Sequence, residues 1–176
     1  MAARLGATMK PDEASGLRER AAAVLRGAGV ALSEAEAGSI EIADFGLGRF
    51  EREGLALLVY VNNERYCGKE LVMWPRQRCP QHRHPPFGGG PGKMETFRCR
   101  AGRVRLCVAA EQGAGVAKGP YSDGLREVVL GPGEQFTIPP DTWHWFEAGD
   151  EGAVISEFSS ASRDELDVFL DPRVKR

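Results

Sequence analysis

From Ile40 onward the sequence breaks into nine short apolar or alternating runs: IEIADFG, LALLVYVNN, ELVMWP, METFRCRAG, VRLCVAAE, REVVLGPG, EQFTIPP, WHWFEAG and AVISEF. Turn-forming residues punctuate them. Short strand-like runs at such close spacing predict an all-β sandwich or small barrel. The 22 glycines and 11 prolines follow no period, which suits many tight turns better than a helical bundle. At 176 residues and 42% hydrophobic content, one continuous core and a single domain are expected.

The flanks differ from the middle. PDEASGLRERAAAVLRG, residues 11–27, has acids in its first turn, alanines and leucines through its centre and glycine at its end, the marks of a helix. An acidic stretch from Leu32 to Ala37 predicts one further turn. The chain therefore divides into an N-terminal helical extension, residues 1–39, packed on a barrel formed by residues 40–176, single-domain overall. FGGGPG, from Phe87 to Gly92, is too short for an interdomain linker and reads as a loop between strands. Near the C-terminus, ASRDELDVFL predicts a short helical segment closing one mouth of the barrel. No internal repeat or low-complexity tract is present.

Charge and hydropathy exclude several classes of function. The 23 basic and 25 acidic residues are well mixed and leave a formal charge of −2, so no basic field exists to hold nucleic acid. Nowhere do eighteen apolar residues follow one another, and the N-terminus has no signal-peptide core, so no membrane partner and a cytoplasmic location are expected. The four cysteines, Cys67, Cys79, Cys99 and Cys107, include no C-x-x-C pair and read as free thiols in strands.

The chain has only three histidines, and two of them, His82 and His84, stand one residue apart in a segment expected to be extended. That spacing puts both imidazoles on one face. Glu95 follows eleven residues after His84, beyond the glycine loop, where a hairpin brings its carboxylate back beside them. The third histidine, His144, follows the turn IPPDTWH. A single histidine is usually a surface or hydrogen-bonded residue, but here the bland reading has to explain three at once together with a carboxylate. His82, His84, Glu95 and His144 are therefore the candidate ligands of one divalent cation. The ligand mix suits Mn²⁺, Co²⁺, Fe²⁺ or Zn²⁺ and leaves coordination positions for a substrate.

These residues resemble the two motifs of the cupin superfamily, G-x5-H-x-H-x3,4-E-x6-G and G-x5-P-x-G-x2-H-x3-N. Gly102 falls on the closing glycine of the first, and Gly133, Pro139 and His144 match the second. Arg76 and Asp141 stand where the motifs carry glycine, Ala148 replaces the asparagine, and ten residues separate His84 from Glu95. The closer resemblance is to the D-lyxose ketol-isomerase family and covers roughly residues 40–172. It rests on ADFGLGRFEREGLALLVYVNN, YCGKELVMWPRQRCPQHRH, KMET, PPDTWHWF and ISEFSS leading into FLDP.

The resemblance implies a cupin (jelly-roll) barrel and a metal-dependent aldose–ketose isomerase interconverting D-lyxose and D-xylulose, with D-mannose and D-fructose a further pair. Mn²⁺ is the expected metal, a small sugar the expected partner, and a homodimer the expected assembly. It also places Lys69 against the substrate, as a fixed positive charge for the O1 or O2 oxygen. Glu157, in VISEF, is the first candidate for the base, because alternation can turn it into the barrel. Trp143, Trp145 and Phe146 offer a wall for a sugar, although aromatic residues on such a strand are more often core. Asp164 and Asp44 are candidates for hydroxyl binding. Val168 stands where the family carries an arginine, a role Arg173 is expected to take over. Two other readings stay open on the same residues: another cupin enzyme such as an iron dioxygenase, and a non-catalytic sugar-binding cupin.

Overall fold

The computed structural model describes residues 9–111 and 120–175, so the first eight residues of the expected extension fall outside it. Helix α1, Pro11–Gly27, starts with proline at its first position and with Asp12 and Glu13 in its first turn, and it carries Arg26 in its last. All three suit the helix dipole and the missing amide partners at a helix start. Helix α2, Glu34–Ser39, is a capping box: the Glu36 amide donates to Ser33 Oγ at 3.2 Å, and the Ser33 amide donates to Glu36 Oε2 at 2.7 Å.

The strands are β1 (Glu41–Ala43), β2 (Leu55–Asn62), β3 (Cys67–Met73), β4 (Arg78–Arg83), β5 (Glu95–Val108), β6 (Arg126–Leu130), β7 (Gln135–Ile138), β8 (His144–Ser159) and β9 (Val168–Phe169). They form one curled antiparallel sheet in the order β1-β2-β3-β8-β4-β9, while β5 pairs with β6, β7 and β8. Strand β8 is the spine of the sheet. Its later half pairs with β3, its first residues pair with β4, and β5 follows it over its whole length. The all-β barrel predicted from the sequence is the observed architecture.

Two pairs of expected strands are each one strand. METFRCRAG and VRLCVAAE both lie in β5, and WHWFEAG and AVISEF both lie in β8. The glycines that look like turn signals mark bends inside paired strands. Register shifts at Cys99/Ala101 and Gly102/Val104, and Gly102 and Gly152 take φ of +70° and +82°. A Cβ on Gly102 would collide with the Gly152 carbonyl, so the two bends nest against each other. The expected C-terminal helix is reduced to a single 3₁₀ turn, Asp164–Leu166, followed by β9, which pairs with β4. Hydrogen bonding to the open edge of β4 outweighs the helical propensity of so short a segment.

The inward residues of the curled sheet, among them Leu57, Leu71, Phe97, Leu106, Phe146 and Ile155, make the main core. The outward residues Ala56, Leu58, Val72, Trp74 and Val154 make a second cluster with Ala21, Ala22 and Leu25 of α1. A fully buried leucine such as Leu25 contributes about 1.5–3 kcal/mol, which holds the helix on the sheet. The two positions that depart from the motif glycines keep the glycine backbone: Arg76 has φ +59° and Asp141 φ +51°. Arg76 is the third residue of the turn Trp74–Gln77, after Pro75, where a left-handed residue is required.

Candidate metal centre

Register brings the histidines together. His82 on β4 faces His144 on β8 as a direct partner, and His84 follows two residues later on the same face of the chain. Glu95 opens β5, paired with Ser159 and Ile138. The glycine loop returns it to the histidines: Gly92, at φ +96°, passes so close to the His84 carbonyl that no side chain fits there. One donor atom from each of His82, His84, Glu95 and His144 lies within 4.8 Å of the others, and all four residues are buried. Glu95 Oε1 is 2.9 Å from His144 Nε2 and 3.2 Å from His84 Nε2.

Each imidazole is oriented from behind. Nδ1 of His82 donates to the Pro80 carbonyl and Nδ1 of His144 to the Thr142 carbonyl, each at 2.8 Å. A carbonyl oxygen can only accept, so in both rings Nε2 keeps its lone pair and turns it inward. His84 Nδ1 meets a carboxylate instead, Asp167 Oδ1 at 2.5 Å. His144 Nε2 is sealed from solvent and has no hydrogen bond along its lone pair. An orphaned buried nitrogen among a carboxylate and two further imidazoles is what a divalent cation would satisfy, and the donor set fits one.

Burial, with His144 and His84 nearby, keeps the pKa of His82 well below its usual value. Burial works the same way on His84, but Glu95 and Asp167 outweigh it and push its pKa up to about 9. Burial would raise the Glu95 carboxyl, yet Lys93 and His84 hold it well below the usual carboxylate range. Lys93 likewise stays charged against its burial, because Glu157 and Glu95 flank it.

Beside these four residues is a second buried group. Lys69 on β3 is the register partner of Glu157 on β8, and its Nζ lies 3.4 Å from Glu157 Oε1 and 3.6 Å from Asp164 Oδ2. Lys93 Nζ lies 2.6 Å from Glu157 Oε1 and 2.7 Å from Glu95 Oε2. Lys69, Glu157 and Asp164 are thus brought together, and with Phe146 they line the same small cavity of about 30 Å³ as His82, His84 and Glu95. His84, Lys93 and Asp167 also line an outer cavity of about 330 Å³, walled by the glycine loop and by residues 160–166, so the two spaces adjoin.

Four expected contributors lie elsewhere, the first being Trp145, whose ring packs on Tyr121 at 4.8 Å with Arg105 over it. Trp143 precedes His144 and turns away from the cavity, with the Arg83 guanidinium 5.4 Å over its ring. Arg173 is bound by Asp171, with 2.6 Å between Nη2 and Oδ2, and opens onto a different groove beside Arg49 and Glu53. Asp44 caps a turn by accepting from the Gly46 amide at 2.9 Å. Lys93, Asp167 and Phe169 were not singled out from the sequence. Two-residue alternation from Glu95 was a signal for Lys93; the other two sit in a segment that read as helix.

A curled antiparallel barrel that gathers three histidines and a glutamate from its two motif segments defines a cupin with a candidate metal centre. The solved structures it resembles include the L-ribose isomerase of Cellulomonas parahominis with L-ribose, at TM-score 0.76 and 16% identity over 96% of each chain. The L-ribose isomerase of Geodermatophilus obscurus superposes at TM-score 0.74 and 16% identity, over 97% of this chain and 95% of that one. At such identity the likeness concerns the fold. The D-lyxose isomerase family model matches residues 29–176, and the chain belongs to that family. It is 53% identical over 174 residues to the D-lyxose ketol-isomerase of Cohnella laeviribosi and 51% identical over 174 residues to the D-lyxose/D-mannose isomerase of Thermosediminibacter oceani, covering 96% of each chain in both cases. With the D-lyxose ketol-isomerase of a Thermofilum species it shares 56% over 165 residues, 90% of this chain and 92% of that one.

Proposed function

We propose that this protein is a metal-dependent aldose–ketose isomerase that interconverts D-lyxose and D-xylulose, and D-mannose and D-fructose, through an enediol. The observation that carries the reading is the buried carboxylate of Glu157, held between the ammonium groups of Lys69 and Lys93 beside the His82–His84–Glu95–His144 cluster. Family membership and relatives named for this reaction support it.

The reaction moves one proton from C2 to C1 and another from O2 to O1. Glu157 takes the C2 proton and returns it to C1. It meets no solvent there, so the proton is not lost on the way. Lys69 donates to the substrate oxygen as it gains negative charge and passes the second proton from O2 to O1. Lys93 holds Glu157 in place through their 2.6 Å ion pair. Asp164 and Phe146 bound the sugar, Asp164 by accepting from a hydroxyl. His82, His84, Glu95 and His144 would hold a divalent cation, which we take to be Mn²⁺, and it would supply Lewis acidity to the substrate.

We further read the chain as one domain, a barrel of residues 40–176 carrying an extension of residues 1–39, because α1 shares an apolar cluster with β2, β3 and β8. We place it in the cytoplasm as a homodimer. The four cysteines form no disulfide with one another, as in a reducing compartment, and no helix among the described residues is long and apolar enough to cross a membrane. For the dimer, Val61, Gly68, Phe158 and Thr96 lie in register across the outer sheet, where Phe158 is 54% exposed.

The test is anaerobic conversion of D-lyxose by metal-stripped protein re-loaded with Mn²⁺, with His82→Ala as control. Ketose formation that needs both the metal and His82 is the expected result. No product with any divalent metal would overturn the proposal, and oxygen uptake with Fe²⁺ would move it to a dioxygenase.

A further inference from the structure

Of the three histidines in the cluster, only His84 has a carboxylate behind it at Nδ1. His82 and His144 rest on carbonyls two residues earlier in their own chain segments, Pro80 and Thr142. The local backbone therefore sets those two rings wherever β4 and β8 form. His84 Nδ1 instead meets Asp167 Oδ1, 83 residues further on, at 2.5 Å, and both side chains are 7% exposed. Nothing local fixes this ring.

Asp167 belongs to a strap, residues 162–169, that crosses the mouth of the cluster. Ser162 Oγ lies 3.4 Å from Lys69 Nζ, and Asp164 Oδ2 lies 3.6 Å from it. The 3₁₀ turn then ends at Asp167. Phe169 follows as the register partner of His82, with its ring stacked on that imidazole at 5.3 Å and 29°. The Leu170 amide anchors the far end by donating to the Gln81 carbonyl. One strap thus grips two of the three imidazoles, by hydrogen bond at His84 and by stacking at His82.

We propose that Asp167 is the positioning residue for His84. Its carboxylate accepts from Nδ1–H, selects the tautomer with Nε2 bare, and aims that nitrogen at the cation. A carboxylate in this place also makes the imidazole a stronger donor. In this role Asp167 acts on the cation through His84. This rests on the reading of the cluster as a metal site, and the experiment separates the two.

The full-length protein is stripped of metal and titrated with Mn²⁺ at fixed pH, with the free ion followed by its EPR signal. The same is done for Asp167→Ala, Asp167→Asn and Glu165→Ala, the last removing an exposed carboxylate from the same turn. Asp167→Ala should weaken Mn²⁺ binding roughly 10–100-fold. Asp167→Asn, which keeps an acceptor oxygen, should lose less, and Glu165→Ala should bind as the parent does. The inference is overturned if Asp167→Ala binds within twofold of the parent, if Asp167→Asn is as weak as Asp167→Ala, or if Glu165→Ala is equally weakened. Failure of the parent to bind Mn²⁺ or any other divalent ion would overturn the metal reading itself. Melting of the metal-free variants distinguishes a misplaced ring from a disrupted fold: an Asp167→Ala protein that melts as the parent yet binds weakly supports positioning, and one whose weak binding tracks an equal loss of apo stability overturns it.

Discussion

Lys93 and Glu157 form a buried ion pair at 2.6 Å, and the same ammonium lies 2.7 Å from Glu95. One cation therefore holds both the proposed base and a proposed metal ligand. Replacing Lys93 by methionine leaves two buried carboxylates with one counter-charge fewer. Breaking a buried pair from one side costs about 3–5 kcal/mol. We expect a loss of that size in urea melts of the metal-free protein, with kcat reduced at least about 100-fold. A Lys93→Met enzyme with parental kcat would exclude any catalytic consequence of the pair.

Glu157 is the register partner of Lys69, so the proposed base and the proposed proton relay sit on adjacent strands and need no loop to assemble them. Glu157→Gln keeps the shape and removes the proton-accepting oxygen. General-base contributions run to about 100–10,000-fold. A fall of kcat in that range, with KM for D-lyxose little changed, is the expected kinetic signature. A variant that carries C2 deuterium of D-lyxose to C1 of the ketose as fast as the parent would show that another group takes the proton.

Chelation should abolish activity and lower the melting temperature together, because the four ligands come from β4, the residue just past it, β5 and β8, and a bound cation would tie these strands to one another. At metal concentrations about 100 times Kd the linkage is worth about 2.7 kcal/mol. Calorimetry with and without Mn²⁺ should show that stabilisation in the parent and not in His82→Ala. Equal melting temperatures in the parent would argue against a cation at this place.

Much of this centre was legible before folding. H-x-H, Glu95 and His144 follow from spacing, because period-two alternation and a hairpin suffice to predict their meeting. Lys93 was equally accessible by alternation, two residues before Glu95, but lysines are so often solvated that its burial gave no warning. Asp167 and Phe169 were hidden for a different reason. DELDVF satisfies a helical pattern locally, and only the open edge of β4, a non-local partner, turns it into a 3₁₀ turn and a strand. Gly102 and Gly152 misled in the same way. A glycine that ends a strand and one that bends a strand look alike until the opposing backbone is known, here the Gly152 carbonyl pressed against Gly102. Arg173 and Trp143 failed because nothing in the sequence says which side of a turn a long side chain takes.

Burial raises the thiol pKa of Cys67, Cys99 and Cys107, and burial with the nearby Glu70 pushes Tyr60 up to about 12. Groups whose folded pKa exceeds the unfolded value stabilise the fold fully below the unfolded pKa, near 8.5 for a thiol, and lose that contribution as pH rises through the folded value. Stability should therefore hold through neutral pH and decline from about pH 9 upward, as seen in urea melts across that range. At pH 8 a thiol reagent such as DTNB should label these cysteines only on unfolding. Rapid labelling of the folded protein at that pH would contradict the raised values.

Arg76 occupies the third position of the Trp74–Gln77 turn at φ +59°, after a proline, where glycine is the strain-free choice. Its side chain is 64% exposed and contacts Glu147 and Asp150, but Glu147 keeps Arg78 and Arg105 without it. An exposed ion pair of this kind is worth about 0–1 kcal/mol, whereas a left-handed non-glycine residue costs roughly 1–2 kcal/mol. Arg76→Gly should therefore equal or exceed the parent in stability. Arg76→Ala, which loses the ion pairs and keeps the strain, should be less stable than Arg76→Gly by about 1 kcal/mol. Urea melts of the three proteins decide it: if alanine matches or outperforms glycine, the left-handed backbone carries no penalty here, and if the parent exceeds both, the arginine is kept for its charge.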